Sequence, residues 1–457
     1  MVFKKVYRFV TVMAILAMYL SPARALEPLY PVGTTFPLGL YSTVFEDTAL
    51  SAGWNFAHSY HFGKDMTGFI DKCKQADMWT HGRLPGELSE SEFGSLMEML
   101  DATGHIGWWD FPEEQRYWKD EEMATVINYA AWTREYDSHK RPNYHYIPGH
   151  YGQSAVEHYV EYLDIVPASC YTTYAGKPHS WVRWRVESTI AAIQARGKTL
   201  GRDYLSDQKT VVGLPELFGT SGEITAEGAY HDFWSILASG GKGIMIYSHW
   251  HLRDDTRLQQ AWEQYCEAAR RVQAEPHRLD QAILFGEYDE SVTVAVVSGP
   301  ERTPSFEVSG NDLDYPSVNV RALRHNGSLY LIAVNSAEQS VTARIGELPT
   351  EPSQATVLFE DRTLSIGEGD MEDSFEALGV HLYKVSLQST TLGQGPAFSR
   401  PGSVRAGGRP GSPVIAGPHV FDLRGRPTTI HAAAGLVVYS LSDDRGPRHV
   451  IKLRSRL

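Results

Sequence analysis

Asp164-Ile165-Val166-Pro167-Ala168-Ser169-Cys170-Tyr171 is a short apolar run, and two more follow it: Thr210-Val211-Val212-Gly213-Leu214-Pro215-Glu216-Leu217-Phe218, then residues 243–250. Between them lie helix-patterned stretches over 181–197 and 224–239, the second with Ala226, Tyr230, Phe233, Trp234 and Leu237 at three-and-four spacing. Strands separated by helices call for parallel pairing, because each helix carries the chain back across the sheet. The same alternation reaches back through runs at 36–41, 55–62, a weaker one near 76–82, 105–110 and 143–151, with another helix pattern over 120–138. Eight strand candidates alternating with helices predict an α/β chain folded as a (β/α)8 TIM barrel. No Gly-rich phosphate turn follows 36–41, which argues against an open doubly wound sheet.

Outside this block the character of the chain changes. Residues 1–25 read as a secretory signal: Lys4, Lys5 and Arg8, an apolar run from Phe9 to Leu20, then Ala23-Arg24-Ala25. The mature chain is therefore expected to begin at Leu26, outside the cytoplasm: secreted, periplasmic or on the cell surface. The barrel is expected over 26–278. An antiparallel β-sandwich is expected over 279–388, from strands at 317–323, 328–335, 340–345, 355–360 and 380–385 and a turn at Asn326-Gly327. Residues 389–415 read as a Gly/Pro/Arg-rich linker, and 416–457 as a small β-rich tail.

Composition narrows the partners. Of the 457 residues 42% are hydrophobic and 21% charged, enough for a sizeable core. The formal net charge is −13, and loss of the leader with Lys4, Lys5, Arg8 and Arg24 takes it to −17. Nucleic acid is excluded as the main partner, and no later run is long enough to span a membrane. Three cysteines exclude a disulfide-built fold and a four-cysteine zinc site. The 11 Trp, 24 Tyr and 17 Phe suit clefts that bind rings or sugars.

In a barrel the chemistry sits at the C-terminal ends of the strands. At the fourth stands Gly107-Trp108-Trp109-Asp110-Phe111-Pro112-Glu113-Glu114, two indoles followed by three acids. A carboxyl beside indoles is poorly solvated when charged, which raises its pKa and suits a general acid. At the seventh, Glu216 is a lone acid in an apolar run, costly to bury without a purpose. Two carboxylates across a barrel mouth are what glycosidic cleavage requires, one to protonate the leaving oxygen and one to meet the oxocarbenium-like centre. The other strand ends supply a rim of His58, Tyr60 and His61; His81 and Arg83; His145, Tyr146, His150 and Tyr151; Tyr171 and Tyr174; and His249, Trp250 and His251. With no HExxH helix present, no metal or other cofactor is expected.

These blocks, with Phe36-Pro37-Leu38-Gly39-Leu40-Tyr41, Ala52-Gly53-Trp54-Asn55-Phe56 and Ala238-Ser239-Gly240-Gly241-Lys242-Gly243-Ile244, resemble bacterial glycoside-hydrolase-like TIM barrels of the retaining clan that includes β-galactosidases and cellulases. The resemblance covers about 30–275. It continues in Leu329-Tyr330-Leu331-Ile332-Ala333-Val334-Asn335, which is similar to the accessory β domain trailing such barrels. Val420-Phe421-Asp422-Leu423-Arg424-Gly425-Arg426 is similar to sorting tails of the type IX (Por) secretion route, implying export machinery as a partner. The family implies an oligo- or polysaccharide substrate, an acid/base at Glu113 or Glu114 and a nucleophile at Glu216. Beside these, the strand-end residues give Asp110 and Tyr171 as expected tuners and Trp109 and Trp250 as expected stacking platforms, with His58, His61, His81, Arg83, His150 and Tyr151 lining the cleft. The chain lacks the family's Asn-Glu pair at strand four and has Phe111 where related barrels carry Glu, so a barrel that binds glycans without cleaving them is the alternative.

Overall fold

A computed structural model of the chain describes residues 26–61, 64–205, 209–219, 224–253, 256–351, 353–387 and strand segments between 420 and 454. The expected signal (1–25) and the expected linker (389–415) lie outside the described residues. The chain divides into two compact units, Met1–Thr390 and Thr391–Leu457.

Eight parallel strands close into a barrel in chain order: β1 Leu38–Tyr41, β2 Phe56–His58, β3 Trp79–Arg83, β4 Ile106–Asp110, β5 Asn143–Tyr144, β6 Ile165–Cys170, β7 Thr210–Pro215 and β8 Ile244–Ile246. Around and after them run α1 Asp47–Ser51, α2 Lys64–Gln75, α3 Glu90–Asp101, α4 Asp120–Tyr136, α5 Gln153–Val160, α6 Thr172–Ala175, α7 Ser180–Leu200, α8 Ala226–Ala238, α9 Gln259–Gln273 and α10 Leu279–Phe285. Local chemistry sets several boundaries. Ser89 and Glu92 form a reciprocal capping box at the start of α3, Thr225 accepts from the Gly228 N–H at the start of α8, and Gly201 ends α7 in the left-handed region at φ +67°. The expected fifth strand over 143–151 shrinks to Asn143–Tyr144, and the chain turns at 149–150.

Inward residues form their own cluster, Tyr41, Phe56, Trp108, Tyr144, Ile165, Val212, Leu214 and Met245, while their strand neighbours face the helices. Trp108 is inside, 4.5 Å from Phe56. Trp109, one pleat on, is outside. It donates to Asp137 at 2.8 Å and lies under the Arg141 guanidinium at 4.7 Å. Gly82 makes room for it: a Cβ there would stand 2.4 Å from the indole. Gly82→Ala is accordingly expected to destabilise the fold by about 1–3 kcal/mol through overpacking, read by urea denaturation.

After α10 the chain is antiparallel. A six-stranded sheet runs in the order Arg362–Ser365, Gln354–Val357, Val380–Ser386, Ser328–Asn335, Val318–His325, Glu287–Tyr288, beside a three-stranded sheet of Thr293–Ser298, Val341–Gly346 and Met371–Phe375. Ser328–Asn335 is buried on both faces: Leu329, Leu331 and Ala333 join Val341, Ile345 and Phe375, whereas Tyr330, Ile332 and Val334 join the core shared with the barrel helices. That double burial explains its unbroken apolar run. In the second unit Ile430–Ala433, Leu436–Asp443 and Gly446–Arg454 pair antiparallel. The cysteines Cys73, Cys170 and Cys266 are buried and free. No helix among the described residues is long and apolar enough to cross a membrane.

Candidate active site

The C-terminal ends of β1 to β4 bring together Tyr41, His58, His81, Arg83 and Asp110, and the turn after β4 adds Glu113. Tyr41, His58 and His81 stack across three strands with successive centroid distances of 3.7 Å. His58 Nε2 lies 3.0 Å from Asp110 Oδ2 and 4.0 Å from Glu113 Oε1. Arg83 Nη1 lies 3.1 Å from Glu113 Oε1 and 3.6 Å from Asp110 Oδ2, so one guanidinium and one imidazole touch both acids. Asp110 is therefore pinned through Oδ2, while its buried Oδ1 has no hydrogen-bond partner.

The electrostatics follow from burial. Glu113 is pushed up to about 7 by burial and then by the Asp110 charge, against the pull of Arg83 and the Tyr60 hydroxyl. Asp110 is also raised by burial, which outweighs Arg83. His58 is held well below its ordinary value by burial and then by Arg83, and is a neutral imidazole. The expected cause for Glu113, neighbouring indoles, is corrected: Trp109 faces the helices and Trp108 sits in the barrel core. Glu113 keeps a side chain 20% exposed, whereas Asp110 is wholly buried.

Glu114 is exposed and sits in the left-handed region at φ +57°, its N–H donating to the Tyr146 carbonyl. No helix begins there, since α4 starts at Asp120. Glu216 is held by a different set of groups. It is 1% exposed and both oxygens are occupied: Oε1 accepts from Thr172 Oγ1 at 3.2 Å and from the Thr173 N–H, and Oε2 from the Tyr174 N–H at 3.0 Å. It caps the first turn of α6. Thr172 bridges it to Asp232 Oδ2 at 3.1 Å, and Asp232 Oδ1 takes His179 at 2.7 Å and His231 at 2.8 Å, with His231 reaching Ser336 at 2.9 Å. Burial works against a charged His179, but Asp232 outweighs it and raises its pKa.

The remaining rim divides. Tyr171 lies 5.3 Å from Phe218 and 5.8 Å from Tyr247, and Tyr247 lies 5.0 Å from Tyr41, which carries an aromatic wall round the mouth. His61 has left the strand, which ends at His58, and packs near Phe69 at 5.8 Å. His150 is exposed, and Tyr151 is buried in a different aromatic group beside the β4–α4 loop. Trp109 as a stacking platform is overturned by its outward direction, and the side chain of Trp250 lies outside the described residues. The strand-end rule would have added Tyr41, the last residue of β1. Nothing in the local pattern marks Asp232, which lies inside a helix.

Among the described residues, two groups have ligand atoms within 4.8 Å of one another, His58, His81 and Asp110, and His179, His231 and Asp232. In the first, Arg83 already supplies the positive charge beside Asp110. In the second, the facing atoms are used in hydrogen bonds.

No protein-family model matches the chain, and no curated protein is similar to it. Solved structures are similar at low identity. An α-amylase from H. orenii has 9% identity, a TM-score of 0.46, and coverage of 76% of this chain and 92% of its own. An α-galactosidase I from Mortierella vinacea has 11% identity and a TM-score of 0.44, covering 75% and 92%. A GH30 endoxylanase from Clostridium papyrosolvens has 9% identity and a TM-score of 0.44, covering 77% and 97%. The likeness is of chain fold alone.

Proposed function

We propose that the protein is an exported glycoside hydrolase working with two carboxyl groups, Glu113 and Asp110. The observation that carries this reading is their shared contact with Arg83 and His58 at the barrel mouth, with Glu113 near 7 and partly exposed. Glu113 starts protonated and gives its proton to the leaving glycosidic oxygen. In this reading Asp110, held through Oδ2, uses its buried, unpartnered Oδ1 to meet the oxocarbenium-like carbon. In a retaining course it forms the glycosyl ester, which water cleaves with Glu113 now acting as base. Arg83 favours the ionised form of Asp110 against its burial while Glu113 cycles. This reading moves the nucleophile from Glu216, whose two oxygens are taken by α6, to Asp110. Glu216 becomes the clamp that fixes the loop carrying Tyr171 and Tyr174.

A binding-only barrel is the second reading, favoured by the complete burial of Asp110. One variant separates the two. On a glycan panel, Asp110→Asn is expected to lose at least about 10³-fold in turnover if Asp110 reacts. Removing its charge also lets the Glu113 pKa fall from about 7, which carbon-detected NMR of the side-chain carboxyls reads directly. Glycan binding without turnover in the wild type would leave the binding reading.

A further inference from the structure

Four residues beyond Glu114, the β4–α4 loop presents Trp118, the most exposed tryptophan described, at 57%. A single exposed indole is ordinary on a protein surface, so its support and its place decide its meaning. This one is held in place. Tyr117 meets it edge-on at 4.9 Å and 90°, and Tyr151 from the β5–α5 loop lies 5.9 Å away. Tyr117 is itself stacked on His158 at 4.6 Å. The loop backbone is anchored as well: the buried Tyr159 hydroxyl donates to the Gln115 carbonyl, Arg116 clasps Glu122, and Arg185 holds the Tyr151 carbonyl at 2.6 Å. The indole is a pre-organised flat surface on the face of the barrel that carries Glu113, with Glu114, Gln115 and Arg116 between the two.

We propose that Trp118, supported by Tyr117 and Tyr151, is a subsite for a second sugar ring of a chain whose cleaved bond lies at Glu113. The proposal rests on the glycosidase reading and deepens it: the substrate is an oligo- or polysaccharide lying over the β4 and β5 loops. The occupant follows from place and from chemistry: Trp118 lies on the same β4–α4 loop as Glu113, and its neighbour Tyr151 feels the Glu114 charge. The C–H face of a pyranose covers an indole, and the flanking Glu114, Gln115 and Arg116 offer acceptors and donors to its hydroxyls. A rigid platform loses little entropy on binding, so the whole contact counts toward affinity.

The test is calorimetric titration of the full chain with hexasaccharides of β-1,4-glucan, β-1,4-xylan, β-1,4-mannan and α-1,4-glucan. At least one is expected to bind, with affinity falling about tenfold or more in Trp118→Ala and partly recovered in Trp118→Phe. The thermal midpoint should not move, because the side chain is mostly in solvent. Equal affinity in wild type and Trp118→Ala overturns the subsite, as does failure of every hexasaccharide to bind. Self-association that Trp118→Ala abolishes, with sugar affinity untouched, also overturns it and makes the patch a contact between copies. Binding lost in Trp118→Ala while no variant and no wild type hydrolyses anything keeps the subsite and rejects the glycosidase.

Discussion

Glu113→Gln is expected to lower kcat/KM on an unactivated glycoside by about 10²–10⁴-fold, the usual worth of a positioned proton donor. The loss should shrink on substrates whose leaving group needs no proton, such as dinitrophenyl glycosides. Wild-type activity should fall as pH rises through about 7, where Glu113 loses its proton, and that alkaline limb should vanish in the variant. Stability moves the same way. The Glu113 pKa is raised on folding, so its contribution is fully present below the unfolded value and is lost as pH rises through about 7. Glu113→Gln should therefore be more stable than wild type at pH 8, on the order of 1–3 kcal/mol, and not at pH 4. Urea denaturation at the two pH values reads this. Equal turnover in the variant would remove Glu113 from the chemistry.

The second large effect concerns Glu216. Glu216→Ala strips the carboxylate partner from the N–H groups of Thr173 and Tyr174 and one of two acceptors from Thr172 Oγ1, which keeps Asp232. At roughly 1–3 kcal/mol for each buried donor left unsatisfied, the two N–H groups predict a loss of about 2–4 kcal/mol. Glu216→Gln keeps the shape and one good acceptor, and should cost less. The decisive number is turnover per folded molecule in Glu216→Gln, expected within about tenfold of wild type because the carboxylate is occupied by α6. A loss as deep as that of Glu113→Gln, with stability unchanged, would return the nucleophile to Glu216.

The two variants test one distinction, between a buried acid that does chemistry and one that holds a turn. Both are costly to bury, and both stand at strand ends. Asp110 leaves one oxygen unengaged beside a raised carboxyl, and Glu216 leaves none. Counting the partners of each oxygen separates them where burial does not.

The alternation of apolar runs and helical patterns determined the closed barrel, because strand and helix periods are local properties and short crossovers leave few topologies. Ser328–Asn335 and its Asn326-Gly327 turn were legible for the same reason. The strand-end rule also reached His58, His81, Arg83, Asp110 and Glu113, since side chains at the C-terminal ends converge in any such barrel. Direction was not legible. Whether Trp108 or Trp109 faces inward depends on the pleat register against β3 and β5, and a shift of one residue exchanges them. Nor was the fate of Glu216, which depends on the α6 N–H groups, or the link from Thr172 to Asp232, 60 residues further on. Local composition placed the acids at the mouth; only the tertiary structure decided which oxygens stay free, because hydrogen-bond partners in a barrel come from neighbouring strands and loops far away in the chain.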